Sequence, residues 1–279
     1  MLVGGSVVNT GSLAAPAGGI LVQAVPETGR IRLSLPGQVL SLEVLPPRDA
    51  AGNVQPFSAL DIPALVTGSA HHQIATGLSA TPEGVTLDAA GLKLPTEPGT
   101  AIVSGALDAA GTTGGDIAVL GEVVGLVAAA VDASGEQGGG NIRIGGNFQG
   151  NGSLPNAART YVDRDSQISA NAEVVGDGGE VIVWADDVTA FYGDLSARGG
   201  AASGDGGFVE ISGKESLAFD GRVDTSAPNG SSGTVLFDPR DIIIGSGAGN
   251  NSDLVPGVDQ SILFDDGGLT DFFTRKQRL

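Results

Sequence analysis

Three groups of residues in this chain have the types and spacing that chemistry could use. The first is acidic. Asp163 and Asp165 flank Arg164 in "YVDRDS", and Asp186 and Asp187 are adjacent in "WADDV". Two carboxylates can divide general acid and base work, or hold calcium, provided they converge. On an extended chain, alternate residues share a face and neighbours do not. Asp163 and Asp165 are therefore placed to share a face, with Arg164 opposite, whereas Asp186 and Asp187 are expected to diverge. The competing reading for all four is a solvated surface turn, where Asp usually sits. The second group is His71 and His72, the two histidines of the chain. A metal wants ligands arriving from one face with outer support. Adjacent histidines in a polar stretch read instead as surface residues. The third group is the pair of strings "GDGGE" (Gly176–Glu180) and "GDGGF" (Gly204–Phe208). Calcium-binding nonapeptide repeats carry their Asp after the glycines and recur in tandem. Here the Asp precedes the glycine pair, so structural turns are predicted.

Other signals point away from catalysis. No G-x-S-x-G serves a His and an acid in order, and no G-x-x-x-x-G-K-[ST] exists to cradle a phosphate. Asn151–Ser153 and Asn229–Ser231 read "NGS", the sugar-acceptor pattern. Trp184, Phe191 and Tyr192 lie in "VWADDVTAFYG". Aromatics bind sugars, but they also stack inside β structures, and stacking is the expectation here. No catalytic, cofactor-binding or metal-binding residue is assigned, and the chain is read as a non-enzyme without a cofactor.

The composition narrows the partners. The 279 residues carry a net charge of −18. Nucleic-acid binding needs a basic footprint, and an anionic membrane would repel this chain. There is no Cys, which excludes disulfides and thiolate-bound metal. The opening "MLVGGSVVNTG" has neither a basic nor an apolar signal region, and no run of about 18 apolar residues could cross a membrane as a helix. Aromatics are 4% while Gly reaches 46 residues. Val, Leu, Ile and Ala with that much Gly suit narrow, regular β layers.

The elements that must position these side chains come from a repeat. Its pattern is a triplet (aliphatic, small or acidic, then Ala or Thr), a polar turn, a Gly-Gly or Gly-x pair, and alternating aliphatics. It occurs in "LAAPAGGILV" (Leu13–Val22), "LDAAGTTGGDIAV" (Leu107–Val119), "VDASGEQGGGNIRI" (Val131–Ile144), "ISANAEVVGDGGEVIV" (Ile168–Val183), "LSARGGAASGDGGFVEI" (Leu195–Ile211) and "VDTSAPNGSSGTVLF" (Val223–Phe237). "VTLDAAGLKL" (Val85–Leu94) holds the triplet without the glycine pair. Triplets begin at Leu107, Val131, Ile168, Leu195 and Val223, and the long interval from Val131 to Ile168 absorbs "QGNGSLPNAARTYVDRDS". A period of twenty-odd residues with short strands is a solenoid signature. "IAV", "IRI", "VIV" and "VEI" alternate like strands with one buried face. The best helical candidate, "EVVGLVAAAVDA", is rich in β-branched residues and favours strand.

The predicted fold is all-β: a right-handed parallel β-helix, a solenoid of the pectin-lyase-like kind, with one irregular insertion. The hand follows from the crossover preference of parallel strands. First coils are expected over 1–45, the insertion over 46–82 with one helical turn around "SALDIPALV", the main β-helix over 83–245, and an atypical tail over 246–279.

The stretch "GGEVIVWADDVTAFYGDLSARGGAASGDGGFVEISGKESLAFDGRVDTSAPNGSSGTVLFDP" (Gly178–Pro239) resembles the filamentous-haemagglutinin-like exoproteins, the passengers of two-partner secretion. "GSVVNTGSLAAPAGGILVQAVPETGRIRLS" (Gly5–Ser34) and "PTEPGTAIVSGALDA" (Pro95–Ala109) are similar to the same proteins. The resemblance implies export, passage through an outer-membrane β-barrel partner, folding outside the cell, and a role in adhesion or aggregation against surface glycans or proteins. The signal peptide and secretion domain of whole members are not visible, so the chain reads as an internal or truncated piece of an exoprotein. The alternatives are a carbohydrate-active β-helix enzyme, for which acids would converge in a groove, and a gene remnant without independent function.

Overall fold

The computed structural model describes residues 1–26 and 98–239 in full, and between them the backbone of five strands. Strands fall where aliphatics alternate. The first coil contains β1 (Leu2–Gly4), β2 (Val7–Asn9) and β3 (Ser12–Ala14). The second opens with β4 (Gly19–Ala24) and then leaves the stack. That excursion carries β5 (Ile31–Ser34), β6 (Ser41–Val44), β7 (Gly77–Thr81), β8 (Gly84–Asp88) and β9 (Leu92–Leu94). The coil resumes with β10 (Thr100–Val103) and β11 (Ala106–Asp108). The third holds β12 (Asp116–Leu120), β13 (Val123–Leu126) and β14 (Ala130–Asp132). The fourth holds β15 (Asn141–Ile144), β16 (Arg159–Val162) and β17 (Gln167–Ser169). Then come β18 (Glu180–Ala185), β19 (Val188–Phe191) and β20 (Asp194–Ser196). The sixth coil is β21 (Phe208–Gly213), β22 (Ser216–Phe219) and β23 (Arg222–Asp224), and β24 (Thr234–Leu236) begins a seventh.

Each coil gives one strand to each of three parallel sheets. Sheet A runs β1-β4-β12-β15-β18-β21-β24, sheet B runs β2-β10-β13-β16-β19-β22, and sheet C runs β3-β11-β14-β17-β20-β23. This is the expected right-handed parallel β-helix. In-register pairing stacks like on like. The inner row of sheet A is Ile20, Ile117, Ile142, Val181, Val209 and Val235. The row from sheet C is Leu13, Leu107, Val131, Ile168, Leu195 and Val223, the first residue of each triplet. Sheet B ends on Phe191 and Phe219, whose rings stack with centroids 5.8 Å apart.

The glycine pair has a steric cause. Within a coil, the second glycine's N–H donates to the carbonyl of the triplet's third residue: Gly140 to Ala133, Gly179 to Ala170, Gly207 to Ala197 and Gly233 to Thr225, at 2.7–2.8 Å. A Cβ on Gly140, Gly179, Gly207 or Gly233 would lie 2.0–2.1 Å from a backbone carbonyl oxygen of the previous coil's glycine pair. A Cβ on the first glycine (Gly114, Gly139, Gly178 or Gly206) would lie 1.9–2.2 Å from the triplet carbonyl of the next coil. No side chain fits between the coils at this corner. The Asp of the Gly-Asp-Gly-Gly strings bonds along the stack: Asp177 Oδ1 accepts the Asp205 N–H, and Asp205 Oδ1 accepts the Ser231 N–H, both at 2.7 Å.

The structure departs from the sequence expectation in two places. "VTLDAAGLKL" does not stack as a coil: β8 pairs antiparallel with β7 and β9. Without the glycine pair it lacks the corner that admits a neighbouring coil. The extra stretch in the interval from Val131 to Ile168 is not all loop, because Arg159–Val162 forms β16 in sheet B. "EVVGLVAAAVDA" yields β13 and β14, as strand propensity indicates. Most of the expected insertion (46–76 and 82), with its helical turn and with His71 and His72, lies outside the described residues, as does the tail 246–279.

Candidate functional site

Alternation predicts that one face of β18 is wet. Instead Val181, Ile182, Val183, Trp184 and Ala185 are all buried. The cover is the loop between β15 and β16, whose 3-10 turn Phe148–Gly150 packs on the outer face of β18. Trp184 is 4% exposed, and a Cβ on Gly150 would lie 2.7 Å from its ring. Gly150 has φ +65°, open to glycine at little cost, so the ring and the turn can touch. The indole N–H donates to Asp186 Oδ1 at 3.1 Å, and Asn156 Nδ2 donates to Asp186 Oδ1 and to the Gly150 carbonyl.

Beside Trp184, on β21, Glu210 is wholly buried on the outer face. Its carboxylate accepts the Gln149 N–H at 3.0 Å. Gln149 holds φ 51° and ψ 29°, a left-handed conformation that costs a non-glycine residue energy. Burial pushes the Glu210 carboxyl above its ordinary range. The Gln149 and Ser212 hydrogen bonds oppose that rise, and the negative charges of Asp238 and Glu180 add to it. Phe148 meets Phe208 edge to face at 5.7 Å, and Arg143 pairs with Glu180 while its Nε donates to Asn147. Next to this loop a groove of about 930 Å³ runs along sheet A past Leu21, Asp116, Asn141, Arg143 and Leu154. A cavity of about 970 Å³ flanks β23 and β24, with Phe219, Val223, Val235 and Phe237 in its wall.

The acids singled out in the sequence do not converge. Asp163 accepts the Ala128 N–H on both oxygens at 3.0 Å and the Ser166 hydroxyl at 2.6 Å. It fastens the turn of its coil to the coil below, where Ala128 holds φ 48°. Asp165 is exposed. Arg164 reaches over the next coil to pair with Asp220. Asp186 and Asp187 sit on the bend between β18 and β19, not on a strand as supposed: Asp186 serves Trp184, and Asp187 is exposed. Among the described residues, no three His, Cys, Asp or Glu side chains gather as metal ligands, and no helix is long and apolar enough to cross a membrane.

The aromatics divide. Trp184 and Phe191 are packed, with Phe191 fully buried. Tyr192 is only half-buried and meets Tyr161 edge to face at 6.0 Å. The Arg164 guanidinium lies 5.7 Å over the Tyr192 ring. Tyr161 is 39% exposed, and its hydroxyl is pushed above the usual tyrosine range, first by burial, then by Asp163 and Tyr192, with Arg164 opposing. Both Asn-Gly-Ser acceptor patterns lie on exposed turns.

Glu210 and Tyr161 were not legible as special residues. "VEI" reads as a strand with an outward Glu, and nothing local reveals that Gln149, 61 residues away, lies over it. Tyr161 lies in the long interval between two triplets, which carries no repeat signal. No family model matches the chain, and no curated protein is significantly similar to it.

Proposed function

We propose that this chain is a β-helical segment of a secreted, filamentous-haemagglutinin-like adhesin, acting outside the cell as a rigid structural spacer that presents contact surfaces. It is not an enzyme in this reading. Export through an outer-membrane β-barrel partner belongs to the same proposal, and surface glycans or proteins of neighbouring cells are the ligands. The observation that carries it is the use made of the polar side chains. Asp163, Asp177, Asp186 and Asp205 each accept hydrogen bonds that hold coil to coil or loop to coil. A stack in which these four acids hold coil to coil and loop to coil is suited to length and stiffness. Its loops and outer faces are free to vary. The stretch Gly178–Pro239, which resembles the exoproteins, falls on β18 to β24 of the stack.

One observation favours the enzymatic alternative: Glu210 has a raised pKa and lies on the face that carries a groove. The turn Phe148–Gly150 seals it from solvent, however, so it cannot reach a polysaccharide without the loop moving.

The test is to display the full chain on beads and count their attachment to cells, and in parallel to incubate it with polysaccharides and assay new reducing or unsaturated ends. Attachment without chain cleavage supports the spacer-adhesin reading. Cleavage abolished by Glu210→Gln would replace it with the enzyme.

A further inference from the structure

The outer face of sheet B carries one conspicuous row. In register across the coils stand Ile102, Gly125, Tyr161, Ala190 and Ala218. Tyr161 lies between Gly125, over which the Ile102 Cδ1 methyl reaches, and Ala190, and it remains 39% exposed. At the adjoining corner, Tyr192 stands at 65° to it, with centroids 6.0 Å apart, and forms the second wall of an angled step. Arg164 extends from its own coil to pair with Asp220 two coils on, and lies 5.7 Å over the Tyr192 ring on the way. The side chains of Arg164 and Asp220 are 68% and 38% exposed, so both retain hydrogen-bonding capacity toward solvent.

We infer that Tyr161, Tyr192, Arg164 and Asp220 form a saccharide-binding step whose ligand is a neutral hexopyranose unit of a glycan chain. This deepens the adhesin reading and rests on it. The chemistry selects the class. A pyranose offers a C–H-rich face to an exposed aromatic ring, and a rim of hydroxyls that both donate and accept. Arg164 supplies only donors and Asp220 only acceptors, the pair that vicinal hydroxyls bridge. A proline-rich peptide would use the rings and offer carbonyls to Arg164, but its prolines have no N–H for Asp220. A uronate or sialate would meet Asp163, Asp165 and Asp220 around a single guanidinium, on a chain of net charge −18.

Tyr161 and Tyr192 are the only tyrosines of the chain, so tyrosine signals report this step alone. The full chain is labelled with 3-fluorotyrosine and followed by fluorine NMR during titration with neutral gluco-, galacto- and manno-oligosaccharides, an oligogalacturonate, and a polyproline peptide. Saturable shifts are expected with at least one neutral oligosaccharide. They should be lost in Tyr161→Ala, and the affinity should be about tenfold weaker in Arg164→Ala. Trp184 emission certifies that each variant is folded. The inference is overturned by the absence of saturable shifts with every neutral saccharide, by binding that survives Tyr161→Ala, or by binding of the uronate or the peptide alone. Bead attachment separates the two proposals. If parent beads attach while no neutral saccharide shifts the tyrosine signals, the step falls and the adhesin reading stands.

Discussion

The glycine corner makes a sharp prediction: Gly179→Ala should destabilise the stack while Gly19→Ala should not. Both glycines belong to sheet A coils and neither has a positive φ, so backbone strain does not distinguish them. What differs is space. A Cβ on Gly179 would lie 2.0 Å from the Gly140 carbonyl oxygen and 2.9 Å from Gly139 C and Gly140 N. A Cβ on Gly19 meets nothing within 4 Å, and its stacked neighbour is already a side-chain-bearing residue, Asp116. Relieving the clash needs a separation of roughly 1 Å between coils whose normal spacing is about 4.8 Å. The Gly140 oxygen is also the acceptor for the Glu180 N–H at 3.0 Å, so that bond opens with it. A lost net hydrogen bond at about 1 kcal/mol and overpacking at about 1–3 kcal/mol give roughly 2–4 kcal/mol for Gly179→Ala. That corresponds to a melting temperature lower by roughly 5–15 °C. Gly19→Ala should be neutral, or stabilising by up to about 1 kcal/mol through the unfolded chain. Thermal melting followed by far-ultraviolet circular dichroism decides the matter. If the two variants melt together, the glycine pair is not there to let coils approach, and the explanation of the repeat fails.

Other expectations follow from the loop and the turns. Because the folded-state pKa of Glu210 is raised above its unfolded value, its contribution to stability is present below pH about 4.5 and is lost as pH rises through the raised value. Glu210→Gln should therefore flatten that part of the stability–pH curve, and an unchanged curve in urea titrations would refute it. Asp163→Ala leaves the Ala128 N–H without its acceptor and should cost about 1–3 kcal/mol, whereas Asp165→Ala, on an exposed side chain, should stay within about 0.5 kcal/mol of the parent. Equal effects would contradict the structural role given to Asp163. Gly150→Ala forces a Cβ against the indole at a left-handed position and should lift the turn from Trp184. Since Trp184 is the single tryptophan, its emission should move to longer wavelength, and an unmoved spectrum would show that the loop accommodates the methyl.

The repeat was readable because stacking imposes the same demand on every coil. Leu107, Val131, Ile168, Leu195 and Val223 each fill the same inward position, and each glycine pair answers the same carbonyl. The candidate sites were less readable, because they depend on contacts that no period records. Gln149 meets Glu210, and Arg164 meets Asp220, across 61 and 56 residues. Ile182 and Trp184 occupy positions that alternation assigns to solvent, and only the returning loop makes them interior. "VTLDAAGLKL" lies in the stretch expected as main β-helix, yet it pairs antiparallel, because it has the triplet without the glycine pair. A triplet sets one strand, and the glycine corner is what sets the turn onto the next.

The excursion between β4 and β10 bears on the order of assembly. β10 lies directly on β2, although Ala101 and Val7 are far apart in sequence, because roughly 75 residues separate Ala24 from Thr100. Closing that ring costs about 1 kcal/mol more chain entropy than closing a coil of 24 residues. Downstream coils carry no such penalty, and in a stack of nearest-neighbour units growth starts where closure is cheapest. Nucleation therefore belongs to the coils from β12 to β23. The coils formed by β1 to β4 then dock across the excursion onto a template already formed.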